Sequence, residues 1–245
     1  MRGSWVQVPR RPPNPLSVPK AISPEEQLER MRREWDERAR ENARYYVDTS
    51  RKDWTDQEFF AAGENAVAED VLTDTTNIYQ GKDPAAMRVL EIGCGAGRLT
   101  WGLSQIFGEV HAVDVSGEMV ARARAALAGR HNVHLYQNNG RDLSVIPPLE
   151  FDFAYSAIVF QHIPSREIIE NYVREVGRLL RPGALFKFQV QGDVNVRSTP
   201  DQTWVGVPYS DAQATAMALR SGFEPRYRHG AGQQYFWLWF FKKPV

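Results

Sequence analysis

These 245 residues carry 30 lysines and arginines against 30 aspartates and glutamates, a formal net charge of zero. That balance disfavours nucleic acid as a partner, because phosphate backbones select a basic excess or stripe. No run of about 18 apolar residues occurs, so no membrane-spanning helix is expected; the single cysteine, Cys94, excludes an intrachain disulfide and fits a reducing, cytoplasmic compartment.

Residues 1–24 read as a disordered, proline-rich basic tail. They hold six of the fifteen prolines, four basic residues (Arg2, Arg10, Arg11, Lys20) and no acid. Proline blocks helix and ladder hydrogen bonds, and the tail has too little apolar surface to fold alone. No apolar stretch follows the charges, so it is not a secretory leader.

Ser23-Pro24-Glu25-Glu26 predicts a helix start, with a capping serine, a proline in the first turn and acids at the positive end of the helix dipole. Leu28, Met31, Trp35, Ala39, Ala43 and Tyr46 recur at three- and four-residue steps as one apolar stripe. The opposite side carries acid-before-base pairs four residues apart (Glu26/Arg30, Glu29/Arg33, Glu34/Arg38, Asp36/Arg40), read as a solvated face. A second helix is expected over 55–72, and residues 25–80 together form an N-terminal helical segment.

From residue 81 the pattern is one domain of alternating strand and helix. Strands are predicted at 88–92, 110–113, 133–136, 153–156 and 185–190, with helices at 98–107, 117–128 and 165–180. Arg181-Pro182-Gly183 is expected to end the last of these helices. A helix at 210–221 and strands at 225–229 and 234–241 follow. The fold class is α/β: a doubly wound, Rossmann-like, mostly parallel seven-stranded sheet with helices on both faces and a helical lid. The aromatic run from Tyr235 to Phe241 reads as a strand covered on both faces.

The most informative stretch is Val89-Leu90-Glu91-Ile92-Gly93-Cys94-Gly95-Ala96-Gly97-Arg98, a buried strand entering a glycine turn and then a helix. Asp114 ends the next apolar run. A strand, a glycine turn and a carboxylate within reach of a ribose are the parts of a nucleotide-type cofactor site. Arg98 stands where a dinucleotide fingerprint needs its last glycine, which argues against a nicotinamide-dependent dehydrogenase. No paired cysteines or H-E-x-x-H occur, so no metal is expected. No G-x-S-x-G elbow occurs, which argues against a hydrolase.

Five further places complete a family resemblance: Asp114-Val115-Ser116-Gly117-Glu118-Met119, Asn138-Asn139-Gly140-Arg141-Asp142-Leu143, the 151–156 strand, Phe160-Gln161-His162-Ile163-Pro164, and Arg178-Leu179-Leu180-Arg181-Pro182-Gly183-Ala184. With the glycine turn, their order and spacing resemble the small-molecule branch of class I methyltransferases that use S-adenosylmethionine (SAM), the "type 11 methyltransferase domain" group. The resemblance covers residues 87–243. It implies methyl transfer from SAM, with S-adenosylhomocysteine (SAH) as product, to an oxygen or nitrogen of a small molecule.

The cofactor-binding residues it implies are Glu91, Gly93, Cys94, Gly95, Gly97, Asp114, Val115, Met119, Asn139, Gly140, Ser156 and Gln161. Glu91 would hold the ammonium, Asp114 the ribose hydroxyls, and Asn139, where relatives carry Asp, the adenine edge. His162 is the candidate catalytic base, with a packing histidine as its alternative. Tyr45, Tyr46, Arg197 and Trp204 are candidates for a lid that selects the acceptor. The partner is then a small molecule, with neither nucleic acid nor membrane expected, and the oligomeric state is left open. Two other readings remain open: a protein or RNA methyltransferase, and a SAM- or SAH-binding protein that transfers no methyl group.

Overall fold

The structure, a computed structural model, describes residues 22–199 and 201–244. The tail reading therefore lies outside the described residues except for 22–24. Seven strands form one sheet in the order β3-β2-β1-β4-β5-β7-β6. They are β1 (Arg88–Ile92), β2 (Glu109–Asp114), β3 (Val133–Gln137), β4 (Phe151–Ser156), β5 (Leu180–Gln191), β6 (Phe223–His229) and β7 (Tyr235–Lys242). The first five pair in parallel, whereas β7 runs antiparallel between β5 and β6. Strand order reverses between β1 and β4, and the crevice beyond their carboxyl ends is where open α/β sheets bind ligands.

Helices α1 (Pro24–Val47), α2 (Asp56–Asp70) and α3 (Thr75–Tyr79) precede the sheet, and α4 (Arg98–Ile106), α5 (Gly117–Ala126), α6 (Arg166–Leu179) and α7 (Asp211–Arg220) cover its two faces. Both long N-terminal helices open on capping boxes, Ser23 with Glu26 and Thr55 with Glu58. Parallel strands buried on both sides read as continuous apolar runs, and β4 is buried at every position. In β7, Phe236, Leu238 and Phe240 are buried on one face. Trp237 and Trp239 pack on the other face against the cluster that holds Phe153 and Tyr155.

Three details differ from the sequence reading. The helix before β5 ends at Leu179, and β5 begins directly at Leu180. Pro182 and Gly183 thus sit inside the strand, where Gly183 takes φ +78 and the register against β4 shifts. The charged side of α1 is not simply solvated. Asp36 accepts from Ser116 Oγ at 2.6 Å, Arg40 pairs with Glu118 at 3.1 Å, and Arg38 donates to Thr203 Oγ1 at 2.8 Å. The helix lies between α5 and the loop after β5, and its charges reach both walls. Finally, α1 is interrupted at Asn42 (φ −164, ψ 86). The Asn42 carboxamide accepts from Tyr45 N at 3.1 Å and donates to the Lys52 carbonyl at 3.0 Å, capping the short piece that carries Tyr46 and Val47.

A buried polar cluster pins the N-terminal helices to the sheet. Lys187 on β5 donates to the Asp70 carbonyl and lies 3.5 Å from Asp74 Oδ2, with its ammonium 4.7 Å from the Trp239 ring centre. Tyr155 donates to Asp70 Oδ2 at 2.6 Å, and Trp239 Nε1 donates to Asp74 Oδ2 at 2.5 Å.

Candidate active site

The carboxyl ends of β1, β2 and β4 open into a cavity of about 870 Å³ of space, continuous with solvent at its mouth. The turn after β1 is made by backbone alone: Gly93 and Cys94 both donate to the Val113 carbonyl, at 2.7 and 3.0 Å. Two glycines are required here by space as well as by conformation. Gly93 (φ +78) faces the Val159 side chain where a Cβ would stand, and Gly95 (φ +52) would bring a Cβ to 2.7 Å from Val47. The piece of α1 beyond Asn42 thus rests directly on the glycine turn.

Asp114, at the end of β2, accepts from Gly95 N through Oδ2 and from Ser116 N through Oδ1, each at 2.9 Å. Burial raises its carboxyl to about 6 against the pull of these amides, and the Asp36 charge adds to the rise. Each oxygen keeps a lone pair for a further donor. Glu91 on β1 accepts from Thr100 Oγ1 at 2.6 Å, and burial raises it to about 7, with the Asp114 charge contributing. Arg98 lines the same end, pairs with Asp48 at 3.3 Å and leaves its buried Nε without a partner.

At the other end, Asn138 donates to the Tyr172 hydroxyl at 2.7 Å while its buried Oδ1 has no partner. Both residues line the cavity beside Met31 and Val115. Asn139 faces solvent instead: its Oδ1 accepts from the backbone N–H groups of Arg141 and Asp142, at 2.8 and 2.9 Å. Asn139, the residue expected at the adenine edge, is therefore off the cavity wall and Asn138 is on it, because the chain turns outward after Asn138. Neighbouring asparagines in one loop cannot be told apart by spacing; only the turn separates them.

Several expected residues share the cavity wall: Glu91, Gly93, Cys94, Gly95, Asp114, Val115, Met119, Tyr46 and His162. Gly97 instead starts α4 in the left-handed region (φ +88) and packs near Leu127. Gly140 packs on Val115 and Met31. Ser156 donates to the Ile92 carbonyl at 2.9 Å, bridging β4 to β1. Tyr45 stacks edge-on against Tyr46, and Arg197 is exposed. Trp204 backs the wall, its ring 5.1 Å from His162, 6.0 Å from Tyr46 and 6.2 Å from Trp35. The residues that sequence reasoning missed are Asn138 and Tyr172 as cavity walls, and Arg98, read only as an obstacle to a dinucleotide; Trp35, expected in the helical lid, lies on the wall.

His162 sits in a hydrogen-bond chain whose polarity is fixed from both ends. The Ile158 N–H donates to Gln189 Oε1 at 3.0 Å, so the Gln189 amide nitrogen donates onward to Gln161 Oε1 at 2.7 Å. Gln161 Nε2 then donates to His162 Nε2, 3.2 Å away, and His162 Nδ1 donates to the Trp204 carbonyl at 2.6 Å. The imidazole lone pair is occupied, and burial lowers the ring to about 4. A ring so bonded is neutral at pH 7 and has no free lone pair for proton abstraction.

Cys94 is buried in the turn, and burial raises its thiol well above the ordinary value. The native protein is expected to react with a disulfide reagent at pH 8 about a hundredfold more slowly than the urea-unfolded chain. Equal rates would contradict the buried placement.

Glu109, His111 and His134 bring ligand-type atoms within 4.8 Å of one another at the opposite end of β2 and β3. The two rings stack at 4.6 Å with 27° between planes, and both turn Nε2 toward Glu109 Oε1, at 2.8 Å from His111 and 3.4 Å from His134.

Residues 89–183 match a family model described as a methyltransferase domain. The chain is 34% identical over 103 residues to the malonyl-[acyl-carrier protein] O-methyltransferase of Enterobacter lignolyticus, covering 41% of this chain and 38% of that one. It is 31% identical over 102 residues to a ubiquinone biosynthesis O-methyltransferase of Xanthomonas oryzae pv. oryzae, covering 41% of each. The match thus spans about two fifths of the length of these curated relatives. Among solved structures, a DhpI–SAH complex superposes with a TM-score of 0.62 at 23% identity, covering 89% of this chain and 98% of that chain. Residues 89–183 are thus similar to a methyltransferase domain, and the likeness to the solved structure is one of fold.

Proposed function

We propose that the protein is a SAM-dependent methyltransferase acting on a small molecule. The observation that carries this reading is the cavity beyond β1, β2 and β4, where Asp114, Glu91 and a side-chain-free glycine turn converge. When bound, SAM supplies a methyl group made electrophilic by its sulfonium. The residues present fit it. Asp114 accepts the two ribose hydroxyls on the lone pairs its backbone amides leave free. Glu91 takes the ammonium and Arg98 the carboxylate of the amino-acid end, which would satisfy the orphaned Arg98 Nε. Asn138 Oδ1, also unpartnered, accepts from the adenine amino group. Trp35, Tyr46 and Val47 close the cavity from α1 and exclude water. The single buried thiol accords with a cytoplasmic setting, and among the described residues no helix is long and apolar enough to cross a membrane.

With methyl-labelled SAM and a small-molecule extract, label is expected in the low-mass fraction. Label in protein or RNA would overturn the small-molecule assignment, and bound SAM without label transfer would overturn the enzymatic one.

The Glu91 carboxyl gives a pH test. In the free protein it is held up at about 7, so below that pH it is largely protonated, whereas an ammonium ligand prefers the ionised form. Binding then releases a proton. SAH affinity should rise with pH, by up to about tenfold per unit between pH 5.5 and 7, and level off above. Glu91→Gln should flatten this profile; an unchanged slope would remove Glu91 from the ammonium site.

A further inference from the structure

With the ribose at Asp114, the amino-acid end at Glu91 and Arg98, and the base at Asn138, the wall left over belongs to the acceptor. It consists of Trp35, Tyr46, Ile158, Ile163 and the neutral face of His162. Among the described residues, no uncommitted charged side chain lines it. Arg38 lies behind Trp35, 4.8 Å from the ring centre, with its donors on Thr203 and Glu34, and Arg98 is paired with Asp48 at the far end. A phosphorylated or carboxylated acceptor would lose its hydration without gaining a cation, and an ammonium would find no carboxylate.

Ile158 adds a second observation. It adopts φ +58, a costly conformation for a β-branched residue, and is held there by its N–H bond to Gln189. The strain keeps an aliphatic side chain, 39% exposed, at the rim of the cavity, where it shields the acceptor from water. The occupied lone pair of His162 supplies the third: that ring offers no base, and the Tyr46 hydroxyl is committed as a donor to Glu41 Oε2 at 2.8 Å, so the site suits a nucleophile that arrives already ionised.

We propose, resting on the cofactor reading above, that the acceptor is a planar aromatic hydroxyl compound without a charged substituent, seated against Trp35 and Tyr46 and methylated on its phenolate oxygen without a protein base. The hydroxyl proton is lost to bulk water before binding. The phenolate oxygen then bonds to the methyl carbon as the carbon–sulfur bond breaks, leaving its electron pair on sulfur. An anion and a cation become a neutral aryl ether and a neutral thioether, so the counter-charge for the buried phenolate comes from the sulfonium and no protein cation is needed. Flat apolar rings gain most from stacking on exposed faces of Trp and Tyr.

The test is calorimetric titration, with 4-nitrophenol, benzoate, phenyl phosphate, benzylamine and cyclohexanol, of the protein loaded with sinefungin, a SAM analogue that carries an ammonium near the place of the sulfonium and transfers no methyl group, followed by turnover of the same compounds with SAM. The expected result is that 4-nitrophenol binds at least about tenfold more tightly than the other four and is converted to its methyl ether. Trp35→Ala should weaken 4-nitrophenol at least about tenfold more than it weakens SAH, and Trp35→Phe should restore most of that difference. Equal or tighter binding of benzoate, phenyl phosphate or benzylamine would overturn the proposal. So would the failure of all five to bind a protein that does bind SAH, an outcome that leaves the cofactor reading standing. Failure to bind SAH itself would overturn both.

Discussion

Asp114→Ala is expected to weaken SAH binding by about a hundredfold, from the loss of two charge-assisted hydrogen bonds of about 1.5 kcal/mol each. The reasoning is geometric. Asp114 ends β2 beside the glycine turn, and its two oxygens accept from Gly95 N and Ser116 N at 2.9 Å, which fixes the carboxylate toward the cavity. The same amides anchor it against burial that raises it to about 6, so it stays mostly ionised at pH 7.5. Asp114→Asn keeps the shape and one acceptor and should fall between wild type and alanine. Titration of each variant with SAH, alongside its melting temperature, separates binding from folding. Affinity within threefold of wild type in a folded Asp114→Ala protein would remove Asp114 from the site.

The second large effect is on stability. Lys187→Ala should cost about 3–5 kcal/mol, because it leaves the partly buried Asp74 carboxylate and the Asp70 carbonyl without the buried ammonium that holds them. For a chain of this size that is a fall of roughly 6–20 °C in melting temperature. Lys187 is 4% exposed and the Trp239 ring lies over it, so water does not replace the lost partner easily. Trp239→Phe, which keeps the ring but removes its bond to Asp74, should cost about 1–3 kcal/mol. Urea unfolding of both variants checks this. A loss below 1 kcal/mol for Lys187→Ala would mean that the cluster does not hold the N-terminal helices to the sheet.

The sheet and its helices were legible because their signals are local. Apolar runs such as 151–156, capping serines before α1 and α6, and the glycine turn after β1 each state their conformation within a few residues. The positions of Gly93, Gly95 and Asp114 followed from the same local pattern. What could not be read depends on how distant segments meet. Asn138 rather than Asn139 enters the cavity because the chain turns outward between them. Arg98 faces inward because α1 ends at Asp48, fifty residues earlier. The neutral state of His162 follows from Gln189 on β5 and from the Trp204 carbonyl in the loop beyond it, neither of which is near it in sequence. The kink at Asn42, which lowers Tyr46 and Val47 onto the glycine turn, has no proline or glycine to announce it. The charges of α1 have the helical spacing of a solvated face, and only the packing of α5 and of residues 201–209 against it shows that Asp36 and Arg38 face protein and that Arg40 reaches Glu118.

The central claim is that the cavity beyond β1, β2 and β4 binds SAM. Calorimetric titration of the purified protein with SAM and SAH, with NADH as the control, tests it most directly. The account predicts micromolar binding of SAM and SAH, one site per chain, and no binding of NADH. Absence of SAM and SAH binding would contradict it, and NADH binding in their place would mean that Arg98 does not exclude a dinucleotide from the glycine turn.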